Sequence, residues 1–200
     1  MTHLKRLAAG IHTAPLLEEI QAQPELWLWN RDRQTKVACQ RETESIYLRA
    51  AAKPFPAGLS GNDVQLTRRT RLAKRFPNTL AFCEGFAALE EAKLGRVTLV
   101  KLQPMGRVYP HIDHGSYYRI RDRYHLVLDS DQGSPLISGG QMALLREGEL
   151  WVFDNKQTHE AANLSQRPRI HLIFDIEPAA GRGHYVYPPE QASSAAGRLA

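Results

Sequence analysis

Cysteine is scarce in this sequence, and its scarcity excludes a class of protein. Cys39 and Cys83 are the only two cysteines among 200 residues. They show no paired spacing, so they predict no disulfide framework. The opening stretch MTHLKRLAAG contains no apolar leader. We therefore expect the protein to reside in a reducing, cytoplasmic compartment.

Long hydrophobic runs and a strong charge imbalance are also absent. No apolar run approaches the roughly 20 residues that span a bilayer, which predicts a soluble protein with no membrane partner. Lys+Arg number 26 against 21 Asp+Glu, a formal net charge of +5. This mild excess suits anionic partners but lacks the density of a dedicated nucleic-acid binder, so we expect no nucleic-acid partner.

The most basic stretch is TRRTRLAKR at residues 67–75. It lacks the interleaved aromatic residues of a platform for single-stranded nucleic acid. Two interpretations remain for it. It is either a solvated helix face or a basic rim that attracts an acidic substrate or peptide.

The length of the chain predicts one domain. With 42% hydrophobic residues, the chain can bury a full core. We expect this domain to cover residues 1–190, with a mixed helical and strand part at 1–95 and a β core at 96–177. The small and polar residues 191–200 predict a flexible tail. The sequence leaves the oligomeric state open.

Helices and short strands alternate in the first half of the chain. The segment APLLEEIQAQP (14–24) has a proline near each end and apolar residues on one side, which predicts a short amphipathic helix. The runs WLWN (27–30) and ESIYLR (44–49) alternate bulky apolar with polar residues, a pattern typical of strands. A second helix is predicted between a cap at Asn78 and a stop at Gly95.

From residue 96 onwards the pattern is almost entirely β. The runs RVTLVKLQP, RYHLVLD, ALLREGELWVFDN and RIHLIFDI are short and strand-like, and Gly, Pro, Asp and Asn separate them. This spacing favours an antiparallel sandwich or jelly roll over alternating strand and helix units. The sequence thus predicts a mainly β fold with flanking helices.

The segment VYPHIDHGSYY (108–118) contains the densest group of candidate metal ligands. On a strand, His111 and Asp113 project the same way, whereas His114 faces away. A mononuclear non-haem iron site takes two imidazoles and one carboxylate. His159, 48 positions after His111, can return beside them on a distant strand of a jelly roll. The alternative roles are hydrogen bonds in a turn and a cap at a strand end.

Cationic and donor side chains interrupt the apolar strands that follow. Arg169 lies in the run RIHLIFDI, where a buried guanidinium must be paired with an anion. Its fork geometry matches a carboxylate bidentately. Arg123 and His125 share one face of RYHLVLD. If these groups surround the candidate metal ligands, they predict a binding site for a dicarboxylic acid. The alternative is that they are core or surface residues whose hydrogen bonds are satisfied within the protein.

These segments together resemble a known family. GRVYPHIDHGSYYRIRDRYHLVL and GELWVFDNKQTHEAANLSQRPRIHLIFDI, within residues 96–177, are similar to the aspartyl/asparaginyl β-hydroxylase family of 2-oxoglutarate-dependent oxygenases. The resemblance implies a double-stranded β-helix, a cupin-like jelly roll. It also implies an Fe(II)/2-oxoglutarate-dependent dioxygenase that hydroxylates an unactivated C–H of an amino acid or of a peptide or protein side chain, such as Asp or Asn, and releases succinate and CO2.

The resemblance implies roles for individual residues. His111 and His159 would be iron ligands, Arg169 would anchor the distal carboxylate of 2-oxoglutarate, and Arg123 and His125 would contact the same co-substrate. The remaining member of the triplet, Asp113, departs from the animal members of the family, which have glycine there and hold iron with two histidines.

Asp113 completes a full triad here, as in related bacterial hydroxylases, so we expect it to be the third iron ligand. A site of two histidines with a bystander aspartate is the alternative. The family includes hydroxylases of free amino acids and of protein side chains, which leaves the substrate open. The rival functions are a non-enzymatic cupin-like protein that binds a metal or a small acid, and an oxygenase that acts on a nucleic acid or a lipid.

Overall fold

The computed structural model describes residues 2–131 and 134–186 of the chain. The tail predicted at residues 191–200 lies outside this part. The strands, numbered in chain order, are β1 (Leu4–Ala8), β2 (Thr43–Ala51), β3 (Thr67–Arg69), β4 (Lys93–Leu102), β5 (Arg107–His111), β6 (Asp122–Asp129), β7 (Pro135–Ser138), β8 (Gln141–Leu144), β9 (Leu150–Phe153), β10 (His159–Ala162) and β11 (Arg169–Glu177).

The strands form two antiparallel sheets. The larger sheet has the order β1-β9-β6-β11-β4-β2-β3, and the smaller has the order β5-β10-β7-β8. Strands distant in sequence are neighbours in both sheets, as in a jelly roll. The predicted mainly β fold is therefore confirmed.

Short helices lie between the strands. The α-helices are α1 (Ala14–Gln21), α2 (Asp32–Lys36), α3 (Pro77–Leu89) and α4 (Ser116–Arg119), and the 3-10 helices are Pro24–Leu28, Ala38–Gln40, Gly61–Asp63 and Ala73–Arg75. The first predicted helix is confirmed as α1, which buries Leu16 and Ile20. Within the described ranges, no helix combines the length and the apolar character that crossing a membrane requires.

The two faces of the large sheet have different surroundings because side chains alternate along each strand. On β11, Leu172 and Phe174 belong to the main apolar core that includes α1 and α3, and the ring of Phe174 lies 5.4 Å from that of Phe86 on α3. The opposite face of β11 carries Arg169 and His171. Both are buried, so the interior between the sheets contains polar groups that the helices do not cover.

Two local predictions were wrong. WLWN does not form a strand, because its first two residues belong to the 3-10 helix that begins at Pro24. Proline favours the first turn of a helix, and the turn buries Trp27 while Trp29 stays 64% exposed. Gly95 does not end α3, which stops at Leu89, since Gly95 already lies within β4.

The cap of α3 also differs from the prediction at Asn78. That residue lies inside the first turn, and the residue before the helix, Phe76, has no capping side chain. The carboxylate of Glu19 on α1 accepts hydrogen bonds from the backbone N–H groups of Asn78 and Thr79 and from the Thr79 hydroxyl. A negative charge at this position also complements the helix dipole. One helix therefore caps the other across the core.

We expect Glu19→Ala to lower the free energy of unfolding by about 1–2 kcal/mol, because the first turn of α3 loses a charged acceptor. Urea denaturation followed by circular dichroism measures the change. Glu18→Ala is the matched control on the same helix, since Glu18 is exposed and its loss should change stability by less than about 0.5 kcal/mol. Equal losses in the two variants would contradict the capping role.

Candidate metal centre

The small sheet brings two histidines together. β5 and β10 are antiparallel neighbours, and His159 at the start of β10 is the register partner of His111 at the end of β5. Their ring centroids are 4.1 Å apart. Asp113 lies two residues beyond β5, and its backbone N–H donates to the carbonyl of Asn155 in the loop before β10. The predicted return of a distant strand beside the H-x-D segment is thus observed.

The three side chains converge without hydrogen bonding to one another. Their ligand atoms all lie within 4.8 Å. Nε2 of His111 is 4.0 Å from Oδ1 of Asp113, and Nε2 of His159 is 3.9 Å from Oδ2, both too long for a hydrogen bond. Two imidazoles and a carboxylate in this arrangement fit a single divalent transition metal with positions left open.

The hydrogen bond at Nδ1 of each imidazole determines whether Nε2, the nitrogen nearer the cluster, carries a proton or a lone pair. Nδ1 of His111 is 2.8 Å from the carbonyl oxygen of Tyr109, and Nδ1 of His159 is 3.0 Å from that of Gln157. A carbonyl only accepts, so Nδ1 carries the proton in both rings and Nε2 presents a lone pair. Metal-binding histidines are commonly oriented in this way. The turn hydrogen bonds considered as an alternative are therefore present, and they prepare the rings for a metal.

Asp113 is held as a carboxylate. Burial alone would raise its pKa, but Arg123, His159, Asn155 and His111 together lower the pKa to about 2. Oδ2 accepts hydrogen bonds from Nη1 of Arg123 at 2.6 Å and from Nδ2 of Asn155 at 2.9 Å. In the part of the chain that the structure describes, no hydrogen bond reaches Oδ1, which therefore has its lone pairs available to a metal.

Arg123 connects Asp113 to the large sheet. Its Nε and Nη2 donate to the two carboxylate oxygens of Asp175 on β11, at 2.8 and 3.1 Å. Burial alone would lower the pKa of Arg123, but Asp113 and Asp175 raise it well above its usual value. The guanidinium also lines the cavity beside the histidines. Its predicted contact with 2-oxoglutarate remains a prediction, since two carboxylates already occupy its donors.

Arg169 has no such carboxylate partner among the residues that the structure describes. Its side chain lines the same cavity as His111, His125 and His159, and the residue is only 5% exposed. Nη1 is buried without a hydrogen bond, and among the described residues the guanidinium forms no ion pair. Burial lowers the pKa of Arg169 to about 10, so it stays charged at neutral pH. The anion that a buried arginine was predicted to require is not supplied by the described residues.

Three polar residues of this region were not predicted as site residues. His171 and Asp175 lie two and six positions after Arg169, so the alternation of the strand puts all three on the same face. Nδ1 of His171 is 3.3 Å from Nδ1 of His125, which lines the cavity. Asn155 contacts Asp113 from the loop before β10. Strand parity from Arg169 could have found the first two, whereas no sequence signal indicated Asn155.

A second cavity adjoins the triplet. It is lined by His111, Asp113 and His114, by Arg96 on β4, and by four residues from the N-terminal part of the chain, namely Arg33, Cys39, Gln40 and Tyr47. The segment 39–49 thus contributes to the border of the site. The basic stretch 67–75 is not one helix, because it contains β3 and a 3-10 helix, and its Arg69 and Arg75 pair with Glu84 and Glu25.

Part of this chain is similar in sequence to a known hydroxylase. An L-proline cis-4-hydroxylase from Rhizobium meliloti (strain 1021) is 32% identical over 82 residues, which are 41% of this chain and 29% of that protein. The chain therefore matches less than a third of the length of this relative.

Two solved structures share the fold. An oxidoreductase of the 2OG-Fe(II) oxygenase family from Burkholderia pseudomallei superposes with a TM-score of 0.56, 11% identity and coverage of 92% of this chain and 89% of that chain. A prolyl hydroxylase from Trichoplax adhaerens, in complex with a hypoxia inducible factor oxygen degradation domain peptide fragment, superposes with a TM-score of 0.55 and 10% identity. The match covers 88% of this chain and 84% of that chain. At these identities the likeness concerns the fold, and it agrees with the predicted jelly roll.

The family itself is indicated by a match to the family model described as aspartyl/asparaginyl beta-hydroxylase, over residues 24–178. This range includes the triplet, Arg123, Arg169 and every strand except β1. Since it covers most of the sequence, the chain belongs to the aspartyl/asparaginyl β-hydroxylase family.

Proposed function

We propose that this protein is an Fe(II)- and 2-oxoglutarate-dependent dioxygenase that hydroxylates an unactivated C–H of an amino acid or of a peptide or protein side chain. One observation carries the proposal. The buried guanidinium of Arg169, without an ion-pair partner among the described residues, lines the same cavity as His111 and His159, the two imidazoles of the cluster that Asp113 completes. A metal site next to a buried cation fits a co-substrate that binds both.

The metal half of the site would be supplied by three atoms. Nε2 of His111, Nε2 of His159 and Oδ1 of Asp113 are the ligand atoms that converge, and the lone pair on Nε2 of His111 is contacted only by the side-chain amide of Gln40, at 3.5 Å, among the described residues. Burial lowers the pKa of His159 to about 4, so at neutral pH its imidazole is uncharged, as a metal ligand must be. Two imidazoles and one carboxylate suit Fe(II) and leave neighbouring positions for other ligands.

The co-substrate half would be supplied by Arg169 and its neighbours. The guanidinium can pair with the distal carboxylate of 2-oxoglutarate through two parallel hydrogen bonds. His125 lies beside it in the same cavity. When bound, iron and 2-oxoglutarate would supply the oxidation, in which O2 converts the co-substrate to succinate and CO2 and adds a hydroxyl group to the substrate. The protein residues orient both partners and exclude water.

The second cavity supports a substrate that carries a carboxylate. Arg33 from α2 and Arg96 from β4 line it, and neither forms an ion pair within the described residues. Arg96 stacks on the ring of Tyr117 at 3.8 Å and is anchored to Tyr118. A free amino acid or an Asp-like side chain of a peptide fits this chemistry, and the amide oxygen of an Asn-like side chain could accept hydrogen bonds from the same guanidinium groups. The chain's family and the L-proline hydroxylase relative support the same class.

An anaerobic titration tests the proposal. Fe(II) and 2-oxoglutarate together should give a weak visible charge-transfer band on the protein, and the band should bleach when O2 is admitted. Pools of amino acids and peptides are then screened for succinate release and for products heavier by one oxygen. Failure to form the band, with no succinate from any pool, would refute the enzyme and favour a protein that only binds a metal or a small acid.

Asp113→Asn should weaken Fe(II) affinity at least about tenfold, because an anionic oxygen ligand becomes a neutral amide. Affinity is measured anaerobically by competition with a chromophoric chelator, and near-UV circular dichroism checks the fold. His114→Asn is the control, since His114 is adjacent in sequence, exposed and outside the cluster. Wild-type affinity in Asp113→Asn would mean that the two histidines suffice and the aspartate is a bystander.

Arg169→Lys should raise the required 2-oxoglutarate concentration roughly 10- to 100-fold, because lysine keeps the charge but loses the two-pronged donor. The measurement is the dissociation constant of 2-oxoglutarate on the Fe(II)-loaded protein without O2. Arg167→Lys is the matched control, because Arg167 is largely exposed and pairs with Asp129 outside the cavity. An unchanged constant in Arg169→Lys would move the anchor to Arg123.

A further inference from the structure

Two buried histidines meet beside the anion pocket. His125 on β6 and His171 on β11 lie on adjacent strands, and their rings are 5.4 Å apart at an angle of 80°. The contact joins Nδ1 of one to Nδ1 of the other at 3.3 Å. His171 is 1% exposed and does not belong to the metal cluster. No step of the proposed reaction has yet used it.

A contact between two Nδ1 atoms has two neutral arrangements. Burial and the nearby guanidinium of Arg169 lower the pKa of His171 well below its usual value, and burial with Arg123 and Arg169 does the same for His125. Each ring is therefore neutral, with one N–H donor and one acceptor nitrogen. Either His171 donates to His125, or His125 donates to His171. In the first case Nε2 of His125 carries a proton and Nε2 of His171 has a lone pair, and in the second case these two are exchanged.

The environment of the second nitrogen of His171 distinguishes the two cases. Its Nε2 is buried, and no group of the described residues forms a hydrogen bond with it. If His125 were the donor, this Nε2 would carry a proton with no acceptor, and orphaned buried N–H groups are rare because they are costly. If His171 is the donor, its Nε2 carries no proton and only a lone pair remains without a hydrogen bond, which costs less. Nδ1 of His171 therefore carries the proton, and Nδ1 of His125 accepts it.

The consequence appears at the other edge of His125. With Nδ1 acting as acceptor, Nε2 of His125 carries the proton. The ring lines the cavity together with Arg169. We infer that His171 is a positioning residue that fixes the tautomer of His125, so that His125 donates a hydrogen bond to the carboxylate of 2-oxoglutarate beside Arg169. This inference rests on the proposed function. In the opposite tautomer a lone pair would face the carboxylate.

Two substitutions separate this role from simple packing. In His171→Asn the amide nitrogen takes the position of Nδ1 and can still donate to His125, so 2-oxoglutarate affinity should stay within about threefold of the wild type. His171→Leu puts an apolar side chain without a donor at this position, so only the fraction of His125 that keeps its proton on Nε2 can bind. Affinity for 2-oxoglutarate should therefore fall more than threefold and up to about tenfold. The maximal rate at saturating 2-oxoglutarate should change little in either variant.

Affinity is measured by calorimetry with 2-oxoglutarate on anaerobic Fe(II)-loaded protein. Equal affinity in His171→Leu and the wild type would overturn the positioning role. Equal losses in His171→Leu and His171→Asn would overturn it as well, because they would indicate general damage to the core. Failure of the wild type to bind 2-oxoglutarate would refute the proposed function itself, and with it the carboxylate as the partner of His125.

A direct test needs neither metal nor turnover. Nitrogen-15 NMR of metal-free protein labelled at histidine reports which ring nitrogen carries the proton, and His125→Gln and His171→Asn assign the two sets of signals. We expect His125 to be protonated at Nε2 and His171 at Nδ1 in the wild type, and His125 to become a mixture of tautomers in His171→Leu. A wild-type His125 protonated at Nδ1 would overturn the inference whatever the binding data show.

Discussion

The guanidinium of Arg123, held between the carboxylates of Asp113 and Asp175, is the interaction on which the site depends. All three side chains are buried between the sheets, where a charge is tolerated only when it is paired and hydrogen-bonded. Arg123 belongs to the large sheet, and Asp113 follows a strand of the small one. The ion pair therefore fixes the distance between the sheets at the point where the candidate ligands converge, and removing one partner would leave a buried charge uncompensated.

The interior follows a simple charge pattern around this pair. Near the candidate metal, one arginine is neutralised by two carboxylates, which leaves a net negative group suited to a cation. Glu160 also lines the cavity, but no carboxylate of the described residues pairs with Arg169, whose pKa is shifted by burial alone. The neighbouring imidazoles of His125 and His171 are neutral because burial and the guanidinium disfavour their charged forms. The cavity thus changes from anionic to cationic over its length, and this polarity matches a ligand that joins a metal at one end to a carboxylate at the other.

Much of this arrangement was predictable because residue type and spacing are local information, although Asp113 lies beyond the end of β5 and not on the strand that the prediction assumed. His111 with Asp113, and Arg169 as an unpaired cation in an apolar run, can be identified from spacing and residue type alone. The wrong predictions concern choices that depend on distant partners. Glu19 rather than Asn78 caps α3, since α1 reaches across the core, and the tryptophan segment forms a 3-10 turn that buries one ring. The tautomer of His125 depends on His171, 46 positions away, and no spacing of residues in the sequence indicates that contact.

The register of the small sheet has a consequence for how the chain responds to its ligands. His111 and His159 face each other across β5 and β10, and the strands on the far side, β7 and β8, have four residues each. A cation bound by both imidazoles would act as a cross-link between two strands that are 48 residues apart in the chain, closing a loop that is entropically costly to close. Metal binding and folding of this sheet are therefore linked equilibria, and the ordered population of the small sheet should rise and fall with the supply of free metal ion.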